Sequence, residues 1–298
     1  MGIVESMGRG LNLAAESIGE GFEFAKAKWA SIFAYLLIGR LAATIVIFAG
    51  IIVGGGAAYL TYKQIGLWAA GALGIGLFIL ALIGGLTLGY APLFGAVEFV
   101  HGGKKRGYFE RSNVDIGLKW AIAVFIAIVL VFGGAILAMA TIPPAEAILF
   151  LLFYFGTIFA MIILAIIAYY AVYEAAMEKM GPVKAIMSSY RLVKANFWET
   201  LVFALVAWVM SYIAGLGATM VFYILYFAAV LLALVLPAAA IAIAVVVFLA
   251  LVALHVLIEC FIFPMQVLFY RKIIERKGMP AAKASGGKEA PAKKKLAS

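Results

Sequence analysis

TLVFALVAWVMSYIAGLGATMVFYILYFAAVLLALVLPAAAIAIAVVVFLALVALHVLI, residues Thr200 to Ile258, contains no Asp, Glu, Lys or Arg. About 20 apolar residues cross the hydrocarbon of a bilayer, so this stretch alone holds two passes. Outward from it the pattern repeats: Trp120 to Ala140 is also free of charge. Over the whole chain 67% of the residues are hydrophobic and 12% charged. A soluble domain carries about twice that share of charge, so the fold class read here is an all-α polytopic membrane bundle without a soluble catalytic domain.

Six main spans are expected, at about 29–56, 65–92, 120–141, 146–172, 198–218 and 239–265. The second, fourth and sixth apolar runs continue to Val100, Met177 and Ile274, with Pro92 and Pro264 placed to bend the helix near the headgroups. The division is a cytoplasmic amphipathic segment over 1–28, a transmembrane domain over 29–274 and a polar basic tail over 275–298. The N-terminus lacks the basic start and short apolar core of a cleavable signal, so the first span is expected to be a retained anchor.

Basic residues set the expected orientation. Lys104, Lys105, Arg106 and Arg111 follow span two; Lys179, Lys184, Arg191 and Lys194 follow span four; nine of the 23 Lys and Arg lie from Arg271 onward. The other connections hold only Lys63. Both termini are therefore expected on the cytoplasmic side of the cell membrane. That parity leaves Thr219–Leu236 without a crossing, and it is read as a re-entrant or interfacial helix ended by Pro237.

An internal repeat emerges when the cytoplasmic starts of the spans are aligned. GFEFAKAKWASIFAYLLI from Gly21 matches SYRLVKANFWETLVFALV from Ser189, with Lys26 on Lys194, Ala27 on Ala195 and Trp29 on Phe197. RSNVDIGLKWAIAVFIAI from Arg111 is a fainter copy with Trp120 in the aromatic place. Each unit reads as an amphipathic segment followed by a membrane hairpin. Leu11, Ala15, Ile18, Phe22 and Ala25 step by three or four in the first, with Glu16, Glu20, Glu23 and Lys26 between them. Val183, Ile186, Met187, Tyr190 and Val193 do so in the third, opposite Lys184, Arg191 and Lys194. Such segments are expected to lie along the cytoplasmic interface as a collar, or to extend the spans and pack on one another.

This arrangement, with polar-faced helices of the type YRLVKANFWETLVFALV before pairs of spans, resembles the membrane domain attached to some glycerophosphodiester phosphodiesterases. It also resembles related free-standing archaeal membrane proteins of unassigned function, over about residues 10–278. Those phosphodiesterases work through a separate soluble barrel bearing His, Glu and Asp residues. No counterpart of that barrel exists here, so the resemblance implies no catalytic residue.

Ionisable groups within spans mark sites by default. Arg40 lies eleven residues past Trp29 and Glu259 eleven before Tyr270, each about 16 Å deep, so an ion pair between the first and last spans is geometrically allowed. His255 sits one turn from Glu259. The three form either a structural clasp or a polar site for a headgroup, ion or proton. Lys104, Lys105, Arg106, Lys184, Arg191 and Lys194 are the candidate headgroup contacts, with anionic lipid, and a membrane protein, as expected partners. Nucleic acid is not an expected partner, despite a net charge of +9. Gly50, Gly54 and Ala58, with Ala81, Gly85 and Gly89, are expected packing faces. Trp29, Trp120, Phe197, Trp198, Tyr169, Tyr170 and Tyr173 read as interfacial belts. One cysteine, Cys260, forms no framework, no nucleotide or hydrolase motif is present, and no cofactor or metal is expected.

Overall fold

The computed structural model describes residues 3–64, 66–102, 107–141, 155–156, 159, 163, 166–235 and 240–276. They form helices α1 (Ile3–Gln64), α2 (Leu67–Gly102), α3 (Arg111–Thr141), α4 (Ala171–Glu178), α5 (Pro182–Ala195), α6 (Phe197–Val235) and α7 (Ala240–Arg276), with no strand among the described residues. Five of these, α1, α2, α3, α6 and α7, are long and apolar enough to cross a membrane. The expected fourth span, 146–172, falls mostly outside the described residues, as do Lys104, Lys105, Arg106 and the tail from 277 onward.

Helices outrun the expected spans because nothing in their sequences stops them. Thr219–Val235, read above as re-entrant or interfacial, is instead the continuation of α6, a single helix of 39 residues. Gly215 and Gly217, the only breakers in the join, are tolerated inside it, since a lone glycine costs a helix only about 1 kcal/mol. The helices α2 and α7 likewise run through Pro92 and Pro264. A true break needs stronger chemistry. Between α1 and α2, Gly66 adopts φ +110°, a backbone conformation that side chains disfavour.

The segment 1–28 is not a separate element, since α1 is continuous for 62 residues. It is not straight. Gly21 abuts α7: a Cβ placed on it would come within 2.7 Å of Met265 Cα. From 21 to 40 is nineteen residues, and there Arg40 Nε donates to Glu259 Oε2 at 3.1 Å. A straight helix would advance about 28 Å over that interval, while the partners on α7 stand only about 9 Å apart. Side chains stretched end to end extend the reach to about 26 Å at most. The axis of α1 therefore turns between Gly21 and Arg40, separating an N-terminal arm from the span.

That arm crosses α7 at Gly21 and reaches α6 at Gly10, where an added Cβ would meet Glu199 Cα at 3.0 Å. Its buried face is Gly10, Leu13, Ala14, Ser17, Gly21 and Ala25. Leu11 and Phe22, from the larger apolar set, stay exposed. Close approach selected the small residues. Ion pairs fasten the arm: Lys272 to Glu16 at 3.0 Å and to Glu20 at 2.7 Å, and Arg9 to Glu199 at 3.5 Å.

The core gathers at the end of the bundle that carries Arg111, Lys179, Lys184 and Lys272, here called the basic end. Phe94, Val97, Phe203, Phe269, Tyr170 and Tyr270 are each at most 1% exposed. Three aromatics read as belt residues face inward: Trp120 packs on Tyr90, while Tyr170 and Tyr173 each face Tyr270. Polar tips explain the inward turn of the two tyrosines, because Tyr170 Oη meets Thr200 Oγ1 at 2.8 Å and Tyr173 Oη donates to Gln266 Oε1 at 3.0 Å, whereas Trp120 is held by packing alone. Trp29 and Phe197 remain exposed.

Candidate intramembrane site

The glycine beside Arg40 decides where the arginine points. Gly39 packs on α2, where an added Cβ would lie 3.0 Å from Gly89 O and 3.4 Å from Pro92. The next residue is rotated about 100° around the helix, which turns Arg40 toward α7. Its Nε and one terminal nitrogen donate to the two oxygens of Glu259, a bidentate pair between residues 219 apart in sequence. One turn away on α7, His255 Nε2 stands 3.5 Å from Glu259 Oε1. All three intramembrane residues singled out from the sequence thus come together.

The pair is open on one side. Arg40, Glu259 and His255 side chains are 44%, 31% and 60% exposed among the described residues. They border a cavity of about 530 Å³ enclosed by α1, α2, α6 and α7. Leu36, Leu93, Ile262 and Phe263 give it apolar walls, and Ser211 and Gln266 add polar atoms. A second recess of about 360 Å³ lies beside Arg40 and His255, lined by Thr44, Leu251 and Val252. Ser211 donates to Ala207 O at 2.8 Å, and Gln266 Oε1 is taken by Tyr173. The Gln266 amide N–H groups and three of the five Arg40 N–H donors have no protein acceptor among the described residues.

Of the headgroup candidates, Lys184, Arg191 and Lys194 all lie exposed on α5 with no ion pair among the described residues. Spacings of seven set Lys184 near Arg191 and Met187 near Lys194, so the basic residues border an exposed apolar stripe of Val183, Met187 and Tyr190.

A polar cluster that the sequence did not single out joins α2, α3 and the α4–α5 turn. Lys179 Nζ donates to Glu98 and, at 2.6 Å, to Asn113 Oδ1. Burial pulls the Lys179 ammonium below the ordinary lysine value. Lys179 holds φ 52°, strained for a side chain, and caps α4 in doing so. Lys179 lies 81 residues from Glu98 and 66 from Asn113 in sequence, and only Glu98, an acid near the end of a long apolar run, was a signal. Gln266, two residues after Pro264, was the corresponding signal for the cavity.

No three His, Cys, Asp or Glu side chains cluster among the described residues. No family model, curated protein or solved structure matches the chain.

Proposed function

We propose that this chain is a non-catalytic multi-pass protein of the cell membrane that organises lipid at the cytoplasmic face, with both termini on that face. The observation that carries the reading is the pair of half-buried amphipathic helices at the basic end. The α1 arm keeps Val4, Met7, Leu11, Phe22 and Trp29 exposed beside the face it buries on α6 and α7. The helix α5 keeps Val183, Met187 and Tyr190 exposed beside Lys184, Arg191 and Lys194, which have no ion pair among the described residues. A helix with one flank on protein, one apolar flank uncovered and a charged third flank fits the plane of a headgroup layer. Each basic residue there contributes about 1 kcal/mol toward anionic lipid.

Repetition supports the same reading. In the alignment above, Asn196 falls on Lys28. The break between α5 and α6 lies at Asn196, and the turn of α1 falls between Gly21 and Arg40. An arm followed by a span in both units is the arrangement that a repeat of the kind read from the sequence would give.

The test is the anionic phospholipid retained by purified protein. Lys184→Gln, Arg191→Gln and Lys194→Gln together are expected to lower it several-fold while leaving neutral lipid unchanged. Solute uptake into reconstituted vesicles that is lost in Glu259→Gln would replace this reading with the second one, a transporter or channel working through Arg40, His255 and Glu259. The cavity beside those residues is the observation favouring that alternative.

A further inference from the structure

We propose that the cavity between α1, α2, α6 and α7 binds an uncharged amphiphile, with a hydroxyl or carbonyl head on the free guanidinium edge of Arg40 and a hydrocarbon tail along Leu36, Leu93, Ile262 and Phe263. The inference rests on the cavity alone and goes beyond the lipid-organising reading.

Charge selects the class. Arg40 and Glu259 neutralise each other in a bidentate pair, so the site offers no net attraction to an ion. An anionic head placed on Arg40 would meet the Glu259 carboxylate, and a cationic head placed on Glu259 would meet the guanidinium. Hydrogen bonding selects the head. Three N–H of Arg40 and the amide of Gln266 are unspent donors that call for an acceptor oxygen, and His255, Tyr90 and Ser211 on the same wall can also accept, which suits a hydroxyl head.

Size and access select the tail. At about 30 Å³ per molecule of liquid water, 530 Å³ holds about 18 waters, or one chain of similar heavy-atom count. That volume lies within the range of small-molecule pockets, about 300–1,000 Å³. The cavity is open beside Arg40 and His255, whose side chains are 44% and 60% exposed. Both residues lie in helices long and apolar enough to cross a bilayer, so a ligand reaching that opening comes from hydrocarbon.

The experiment uses the full chain in bilayer nanodiscs with a diazirine-bearing hexadecanol, mapping the photolabel by mass spectrometry. Label is expected to concentrate around Leu36 on α1 and Ile262 on α7, and to be displaced by unlabelled hexadecanol. Gly215→Phe is expected to lower incorporation at least tenfold. Gly215 lines the cavity, and a Cβ there meets no heavy atom within 4 Å, so the added ring has room. Ser211→Leu fills the same space from a position whose one hydrogen bond is to its own helix, and is expected to act alike. Labelling that is as strong at Phe48 and Ile52 as at the cavity, or that neither filling variant reduces, would overturn the proposal. Stronger displacement by hexadecanoate or hexadecyl phosphate than by hexadecanol would overturn the uncharged class. The triple α5 variant is expected to leave this labelling unchanged, so failure of the lipid-organising reading stays separate from failure here.

Discussion

At the basic end, Phe203 and Phe269 stack with centroids 3.8 Å apart and 6° between planes, each at most 1% exposed. At the far end, Phe48 and Phe248 meet edge-on at 6.3 Å and both stay exposed. Each pair bridges α7 to a neighbour, one α6 and the other α1, yet the first is core and the second is surface. The contrast extends along the helices: only 11% of the most apolar window of α7 is buried, while Met265, Val267, Leu268, Phe269 and Tyr270, nearer the basic end, are all buried. Lipid tails are as apolar as leucine, so burying the far end against protein gains no hydrophobic free energy. A basic end projecting beyond the hydrocarbon, as the proposed function has it, is where burial is rewarded and polar tips must be paired.

Removing one ring from each pair should separate the two regimes most widely. Phe203→Ala is expected to cost about 3–5 kcal/mol in denaturant unfolding in detergent, and Phe48→Ala less than about 0.5 kcal/mol. Equal losses would erase the distinction.

What holds the far end is close backbone approach. Gly50 faces Ala81, and an added Cβ on Gly85 would lie 2.6 Å from Ile47 Cγ1. Gly50→Leu should therefore destabilise the α1–α2 hairpin by about 1–3 kcal/mol although no core residue is touched. Intramolecular cross-linking between cysteines introduced at Ala58 and Gly74, whose added Cβ would meet Ala58 Cβ at 3.0 Å, is expected to fall in that variant.

The smallest effect sharpens the basic end. Burial holds the Glu174 carboxyl above its usual range, while hydrogen bonds with Ser188 and Tyr270 pull it the other way. The folded state thus binds this proton more tightly than the unfolded chain. Its contribution is present in full below the unfolded carboxylate value and is lost as pH rises through the folded one. Glu174→Gln, neutral throughout, is expected to raise stability above wild type at pH 8 by under about 1 kcal/mol and to give no gain at pH 4. A gain equal at both pH values would remove the protonation from the account.

Much of the membrane character was legible one residue at a time. The charge-free runs predicted long helices because a window of about 20 apolar residues is a local sum. Small residues at every fourth position predicted packing faces on the first two spans because that spacing defines one helix face, and the structure sets those faces against each other. Equal residue counts from Trp29 and Tyr270 allowed the pairing of Arg40 and Glu259 to be expected, although Tyr270 turned out to be a core residue. The end of α6 was misread because topology counting demanded a stop where the backbone had no reason to break. Tyr170 and Tyr173 were misread because an amphipathic ring fits an interface and a hydrogen-bonded core equally well, and Trp120 because a large ring serves packing as readily as an interface.

The linear order of residues determined that this chain is helical, that it suits a bilayer, and which few polar groups interrupt its apolar runs. Only the tertiary structure decided the turn of α1 around α7, the choice of Gly10, Ala14 and Gly21 over Leu11 and Phe22 as the buried face, the Glu98–Lys179–Asn113 cluster and the cavity beside Arg40. Hydropathy and periodicity are sums along one helix. Those features depend on how closely two helices approach and on partners as far as 219 residues apart, and shape complementarity between surfaces is absent from any sum along one chain.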